Sequence, residues 1–367
     1  MDTSILDIDF NSDGVCNYCR AANERISREH YVGDSHQGKM DSLLTKVKSE
    51  GKGKSYDCII GVSGGVDSTY LAYLVKQKFG LRPLAIHFDN GWNSDLAVDN
   101  IERLLKNLKI DLYTHVVNWE EFRDLQLAFL KSSVANSEIP TDHAIIALLY
   151  RMAARHGIRY ILHGGNLSTE SIMPAAWMEN SLDLRFLRSI HGRFGTRRLT
   201  TYPVLGLFRL AYFTFLKRIR YIGPLNYINY NKERAMQFLE TEFGWRRYEG
   251  KHFESIYTRW FQGYLLPKKF GMDKRRPHFS SLIVSKQMTR SSAIEELRRE
   301  PYDLRLVEED IQYVCRKFGL SKDEFNAIME CPAKGLADYP NSLWVLGRLA
   351  PLVAKAKAIA TGRQKIR

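Results

Sequence analysis

The chain has no long apolar run, few cysteines and too little acid for its base, and each shortage removes a class of protein. Its longest apolar stretch, Val204 to Leu216, is broken by Arg209 and falls short of the roughly 20 residues a bilayer span needs. Arg197, Arg198, Lys217, Arg218 and Arg220 flank it, as they would an interfacial helix, but the sequence favours a helix packed within a second domain. Five cysteines in 367 residues are odd in number and too sparse for a disulfide framework. The start is polar and acidic (Asp2, Asp7, Asp9) and does not read as a secretory leader, so the expected compartment is the cytoplasm. There is no internal repeat and no low-complexity tract. With 41 acidic residues against 54 Lys and Arg, the formal charge is +13. That balance favours anionic partners: nucleotide, nucleotide-sugar, nucleic acid or an acidic membrane surface.

What is present is concentrated in Gly61-Val-Ser63-Gly64-Gly65-Val66-Asp67-Ser68. It follows the apolar run Tyr56-Asp-Cys-Ile-Ile60 and opens a helical pattern in which Leu71, Leu74, Val75 and Phe79 share a face before Gly80 stops it. Strand, glycine-rich turn and helix N-terminus together make an anion site, because glycines admit phosphate close to the backbone and the helix end presents free N–H groups. Ser63 and Ser68 add hydroxyls. Asp67 would repel a bare phosphate, so it implies Mg²⁺ held between carboxylate and phosphate. No Gly-Lys-Ser/Thr follows, which excludes the P-loop of kinases and GTPases. The segment instead resembles the PP-loop of the N-type ATP pyrophosphatases, which cleave ATP to AMP and pyrophosphate.

Strand-like runs recur at 56–62, 83–88, 112–117 and 159–163, with helical stretches near 68–79, 95–108 and 141–156. Alternating apolar strands and helices predict an α/β domain, with a parallel sheet covered on both faces and ligands at the carboxyl ends of its strands. Ser63, Asp89 and Gly164 fall at those ends. The division expected is a lead-in over 1–54, ending in the lysine-rich, linker-like 46–54; an ATP pyrophosphatase domain over 55–200; and a mainly helical substrate or partner domain over 201–367. Helices there are predicted at 205–219, 231–243, 251–265, 290–299, 306–318, 321–329 and 342–361.

Further candidates lie at the strand ends. His87 in the second strand and Asp89-Asn90-Gly91-Trp92 after it are placed to meet adenine or ribose, although Asn-Gly is also an ordinary turn. His163-Gly164-Gly165-Asn166-Leu-Ser-Thr169-Glu170 offers a second close approach of backbone to ligand, with Asn166, Thr169 and Glu170 as candidate substrate contacts, or a simple glycine turn. Residues 251–290 are dense in charge and aromatics: Glu254, Arg259, Lys268, Lys269, Asp273, Lys274, Arg275, Arg276 and Arg290. Lys268, Lys269, Arg275 and Arg276 are the candidates to neutralise a departing pyrophosphate, with Glu254 on the substrate. Cys16 and Cys19 form half of a tetrahedral zinc site or a pair of free thiols. Cys58 and Cys315 lie in apolar patterns and read as core.

Taken together, Asp13-Gly-Val-Cys16-x-x-Cys19, the loop 61–68, Gly164-Gly165-Asn166…Thr169-Glu170-Ser-Ile-Met-Pro174…Trp177 and the block 251–290 resemble the N-acetyl sugar amidotransferases of surface-polysaccharide biosynthesis, of the WbpG and PseA type. The resemblance implies conversion of the acetamido group of a nucleotide-activated N-acetyl sugar to an acetamidino group, with ATP, Mg²⁺ and ammonia. It also implies a separate HisH-like glutaminase with a HisF-like barrel subunit, similar to the two parts of imidazole glycerol phosphate synthase. The basic C-terminal region is the expected docking surface. The chain departs from the family pattern in lacking a further Cys-x-x-Cys before Asp2 and in carrying Lys286 where a glycine is expected. A tRNA-modifying PP-loop enzyme is the competing reading, and a non-catalytic nucleotide-binding protein a third. The first would carry an RNA-binding module or a catalytic cysteine near the sheet; neither is found, and no nucleic-acid partner is expected.

Overall fold

Two helices, α1 (Asn17–Glu29) and α2 (Gln37–Gly51), precede a parallel sheet of five strands: β1 (Cys58–Gly61), β2 (Pro83–Asp89), β3 (Asp111–Val116), β4 (Tyr160–Leu162) and β5 (Arg220–Ile222). The structure is a computed structural model and describes residues 1–5, 7–29, 37–177, 180–250 and 253–343. Strand order is β3-β2-β1-β4-β5. The chain therefore winds outward from β1 to β3, then returns to lay β4 and β5 on the other side of β1. Between β1 and β4 the winding reverses, and the crevice above their carboxyl ends is where such sheets bind ligands.

The strands arise from continuous apolar runs, as burial on both faces requires. Alternation sorts them: Ile59, Leu84 and Ile86 enter one core, while Cys58, Ile60 and Ala85 enter the other. The second core is covered by α3 (Val66–Tyr73), which continues as a single π turn through Lys78, and by α4 (Asp95–Leu108). The first is covered by α5 (Trp119–Ser132), α6 (Ile139–Arg155) and, after the short α7 (Leu167–Glu170), by α8 (Leu184–Phe194). Edge strand β3 is the exception, with Leu112 and Val116 exposed.

Beyond β4 come α9 (Leu207–Ala211) with a π turn over Tyr212–Leu216, then α10 (Lys232–Phe243), α11 (Ile256–Trp260), α12 (Leu266–Phe270), α13 (Arg275–Val284), α14 (Arg290–Leu297), α15 (Leu304–Phe318) and α16 (Lys322–Glu330). Tyr257, Trp260, Phe261, Val314 and Phe318 join Trp92 in the first core, so the C-terminal helices share the interior of the sheet domain. Among the described residues no helix is long and apolar enough to cross a membrane.

The parallel α/β sheet and the helical C-terminal half agree with expectation, and α4 matches the predicted 95–108. Differences have physical reasons. Most of the stretch read as a linker, up to Gly51, belongs to α2, whose apolar anchor there is the buried Val47 and whose lysines turn outward. β5 is three residues long and largely exposed, so it carries no strand signal, yet it extends the sheet past residue 200. The helix predicted at 342–361 lies outside the described residues from 344 onward. Cys58 is buried and Cys315 packs against the core, as expected.

Residues 196–202 are pinned to α5. Glu121 accepts from the backbone N–H groups of Thr200 (3.0 Å), Thr201 (2.9 Å) and Tyr202 (3.1 Å) and from the Thr200 hydroxyl. Asp124 takes Thr196, Arg197 and His191. Burial would raise the Glu121 carboxyl, but these hydrogen bonds, Thr200's foremost, outweigh it and hold it below its usual range. A depressed folded pKa contributes stability that is complete above the unfolded value of about 4.3 and is lost as pH falls through the folded one. Glu121→Gln should therefore cost roughly 1.5–3 kcal/mol at neutral pH in urea denaturation, with wild type and variant converging in acid.

Candidate active site

The loop after β1 is shaped by what holds one carbonyl. Gly64 Oxygen accepts from Trp245 Nε1 (3.0 Å) and from the Tyr248 hydroxyl (3.0 Å), and Asn100 steadies Tyr248 at 3.2 Å. Gly64 sits at φ 83, and a Cβ there would meet the Ala97 carbonyl at 2.9 Å. Only glycine satisfies both demands. With that carbonyl turned into the protein and no side chain capping α3, the first-turn N–H groups of the helix are left for a ligand. Ser63 and Ser68 place their hydroxyls 3.2 Å apart beside them, while Val66 is buried beneath.

The β4 end closes the other wall. A Cβ on Gly164 would lie 2.9 Å from the Asp67 carbonyl carbon and the Ser68 nitrogen, so the glycine lets this loop press on the first turn of α3. The structure thus brings Ser63, Gly64, Gly65, Val66, Asp67, Ser68 and Gly164 together at the switch point. His87 and Asp89 sit one strand away and are engaged with protein. His87 Nδ1 is 2.9 Å from the Val62 carbonyl, and Asn93 Nδ2 reaches His87 Nε2 (3.0 Å) and Asp89 Oδ1 (3.2 Å).

Asp67 is held from a distance. The Tyr230 hydroxyl donates to its Oδ1, and burial, then the Asp67 charge, pushes that phenol far above its ordinary pKa, keeping the donor protonated. Gln287 orders Tyr230, donating to its carbonyl at 3.1 Å and accepting from Lys232 N–H at 2.9 Å. Gln287 in turn follows Lys286, whose φ of 59 closes α13 in the left-handed region. The glycine expected there by resemblance has its reason in this backbone. Tyr230, Trp245, Tyr248, Asn93, Asn100 and Gln287 were not anticipated; all but Gln287, which sits in the block 251–290, lie outside any motif, and no local spacing marks their roles.

The charged block behaves differently from its reading as a phosphate clamp. Lys269 donates to the Ile328 carbonyl. Arg275 pairs with Asp273 at 2.7 Å and caps the end of α14 through the Arg299 carbonyl at 2.8 Å. Arg276 ties down the N-terminal segment through Asp2 (3.1 Å) and Ser4. Three of the four expected cations are therefore engaged in holding protein to protein, while Lys268 is exposed. The block instead approaches the loop through Glu254, since a Cβ on Gly65 would stand 3.2 Å from Glu254 Oε1, while Gln287 reaches it only by way of Tyr230.

Asn166 and Thr169 are buried, their polar atoms used in capping α7: Asn166 accepts from Thr169 N–H at 3.0 Å and donates to the Gly164 carbonyl at 3.2 Å. Glu170 ends α7 in an exposed position. Cys16 and Cys19 are adjacent, Cys19 N–H lying 3.4 Å from Cys16 Sγ, and burial together with Cys16 pushes the Cys19 thiol up to about 12. Among the described residues no group of three or more His, Cys, Asp or Glu side chains could hold a metal. Cys16 and Cys19 thus supply two of the four ligands that a tetrahedral zinc site needs, and nothing among the described residues adds a third. Mg²⁺ asks less of the protein, since one carboxylate plus nucleotide phosphates suffices, and Asp67 beside the open helix end fits it.

Against known proteins, residues 254–350 match the family described as LPS biosynthesis protein WbpG-like, C-terminal domain. An uncharacterized protein of Methanocaldococcus jannaschii is 30% identical over 131 residues, 35% of this chain and 44% of that one. GMP synthase [glutamine-hydrolyzing] of Pyrobaculum aerophilum is 37% identical over 70 residues, 19% of this chain and 14% of that one. The matches span less than half the length of these curated relatives. The NH3-dependent NAD synthetase of Campylobacter jejuni aligns over 83% of this chain and 97% of its own at 13% identity and a TM-score of 0.30, too distant a likeness to bear on activity.

On the function proposed below, Asp67→Ala and Ser63→Ala should abolish formation of AMP and pyrophosphate in protein that circular dichroism shows to be folded; wild-type turnover by folded Asp67→Ala would sink the site. Lys286→Gly should raise stability by about 0.5–1 kcal/mol in denaturant titration, because relief of the left-handed Cβ exceeds the added chain entropy. A loss of stability would show that the lysine side chain itself supports the turn.

Proposed function

We propose that the chain is an ATP-dependent amidotransferase that converts the acetamido group of a nucleotide-activated sugar to an acetamidino group, in the biosynthesis of O-antigen, LPS or a related surface glycan. The observation that carries this reading is the contact of Glu254, first residue of the WbpG-like segment, with Gly65 of the phosphate loop. A loop with the form of a phosphate site and a segment that matches a family of LPS biosynthesis lie beside one another, which supports this reading.

The chemistry needs no protein nucleophile. The acetamido oxygen attacks the α-phosphorus of ATP and pyrophosphate leaves. Ammonia then adds to the imidate carbon, a proton is lost, and AMP departs with the oxygen to leave the amidine. In this reading the α3 N–H groups with Ser63 and Ser68 bind the phosphates, and Asp67, oriented by Tyr230, holds Mg²⁺. The dication supplies neutralisation of the charge that builds on the leaving group.

Ammonia comes, on this proposal, from a separate HisH-like glutaminase with its HisF-like barrel subunit. None of the five cysteines lies in a Gly-x-Cys-x-Gly elbow, the setting of a glutaminase nucleophile. The test is mass spectrometry of candidate nucleotide-sugars incubated with ATP, Mg²⁺ and ammonium. The expected product exchanges one oxygen for NH with AMP formed in equal amount, and glutamine alone yields nothing. Amidine made from glutamine with ammonium rigorously absent would overturn the partner requirement. Salt-dependent tRNA binding with ATP cleavage only on tRNA would overturn the substrate.

A further inference from the structure

The segment expected to pack as a helix within the second domain instead stands open. Along α9 and its π turn, Phe208 is 95% exposed, Phe215 74% and Leu216 72%, with Tyr212 beside them, while Phe213 alone is buried. Positions 208, 212, 215 and 216 recur at helical spacing and form one outward apolar face. Single exposed apolar residues are ordinary, but a contiguous face of this kind marks an interaction surface.

The same segment also contributes cations to a cleft. Arg209 and Lys217, with Arg151 and Arg155 of α6, line an open cleft of about 640 Å³ together with Ala154, Tyr212 and Phe213. No ion pair among the described residues involves Arg151, Arg155, Arg209 or Lys217. Arg151 has its Nε buried with no hydrogen-bond partner, its Nη2 reaching only the Val204 carbonyl at 3.2 Å. Four like charges gathered without a counter-charge repel one another, and a buried unsatisfied guanidinium nitrogen is costly. The cleft is built for an anion that comes from outside.

Its location separates it from catalysis. α6 runs into β4, and the α9 turn runs into β5, so both helix ends lie where these parallel strands begin. The phosphate loop lies at the opposite, carboxyl pole. An anion-seeking cleft with aromatic and aliphatic side chains standing beside it matches the layering of an anionic bilayer, where charged headgroups overlie the acyl boundary.

We propose that this face docks the protein on an anionic membrane surface, lipid phosphate headgroups entering the cleft while Phe208, Phe215 and Leu216 reach the acyl boundary. The test is co-sedimentation of the full chain with vesicles of phosphatidylcholine alone or mixed with phosphatidylglycerol. Binding is expected on the mixed vesicles only, weakened by salt. Arg209→Gln with Lys217→Gln should lower partitioning by about tenfold or more, as should Phe208→Ser with Phe215→Ser. All four positions are exposed, so ATP cleavage should not change, and the melting temperature should not fall; removing Arg209 and Lys217 relieves charge repulsion in the cleft. Equal binding to both vesicle types, or variants that bind as wild type does, overturns the proposal. So does a chain that stays in solution and binds inorganic phosphate at Arg209 and Lys217, which would make the cleft a soluble-anion site. Self-association lost in Phe208→Ser, without vesicle binding, would make the face a protein interface and equally refute it.

Discussion

The direction of one peptide carbonyl governs this site. Gly64 can offer a ligand either its oxygen or the N–H groups that follow, and the donors Trp245 and Tyr248 settle the matter by taking the oxygen. Everything else at the crevice assumes that choice. The uncapped end of α3 becomes an anion site rather than a solvated helix terminus, the paired hydroxyls of Ser63 and Ser68 flank it, and Gly164 can close against the first turn. On the proposed function a carboxylate beside phosphate would need a cation between them, and Tyr230 holds Asp67 in place by a hydrogen bond without neutralising it.

The parts legible in the sequence are those whose chemistry is local. Loop 61–68 announces itself because every group it needs lies within eight consecutive residues after an apolar run, and β1 and β2 are legible because burial on both faces leaves unbroken apolar strings. The remainder depends on distance in space. Nothing near Tyr230 hints that it reaches Asp67, nor near Gln287 that it reaches Tyr230, and the three residues of β5 join the sheet only because β4 offers them an edge. The cluster at 268–276 shows the converse failure. Charge density along a chain says that cations are present, not where their partners are, and Arg275 and Arg276 find theirs in Asp273 and Asp2.

Lys286 shows how a resemblance and a structure can explain each other. The family pattern supplies an expectation of glycine, and the backbone supplies the cause: α13 ends in a left-handed residue so that Gln287 can turn back toward Tyr230. A lysine bears that conformation at an energetic cost, and the geometry of the turn persists because Gln287 has two backbone partners to hold it.

The supports of the phosphate loop also have a kinetic meaning. Tyr230 is 163 residues from Asp67, and Trp245 and Tyr248 are 181 and 184 residues from Gly64. Contacts of such separation form late, since the entropy of closing the intervening chain must be met before they yield anything. As the polypeptide emerges from the ribosome, the sheet strands β1 to β4 can assemble while their glycine loop is still unbraced. On the function proposed above, competence to grip a nucleotide is thus acquired only once residues 230–248 have joined the sheet.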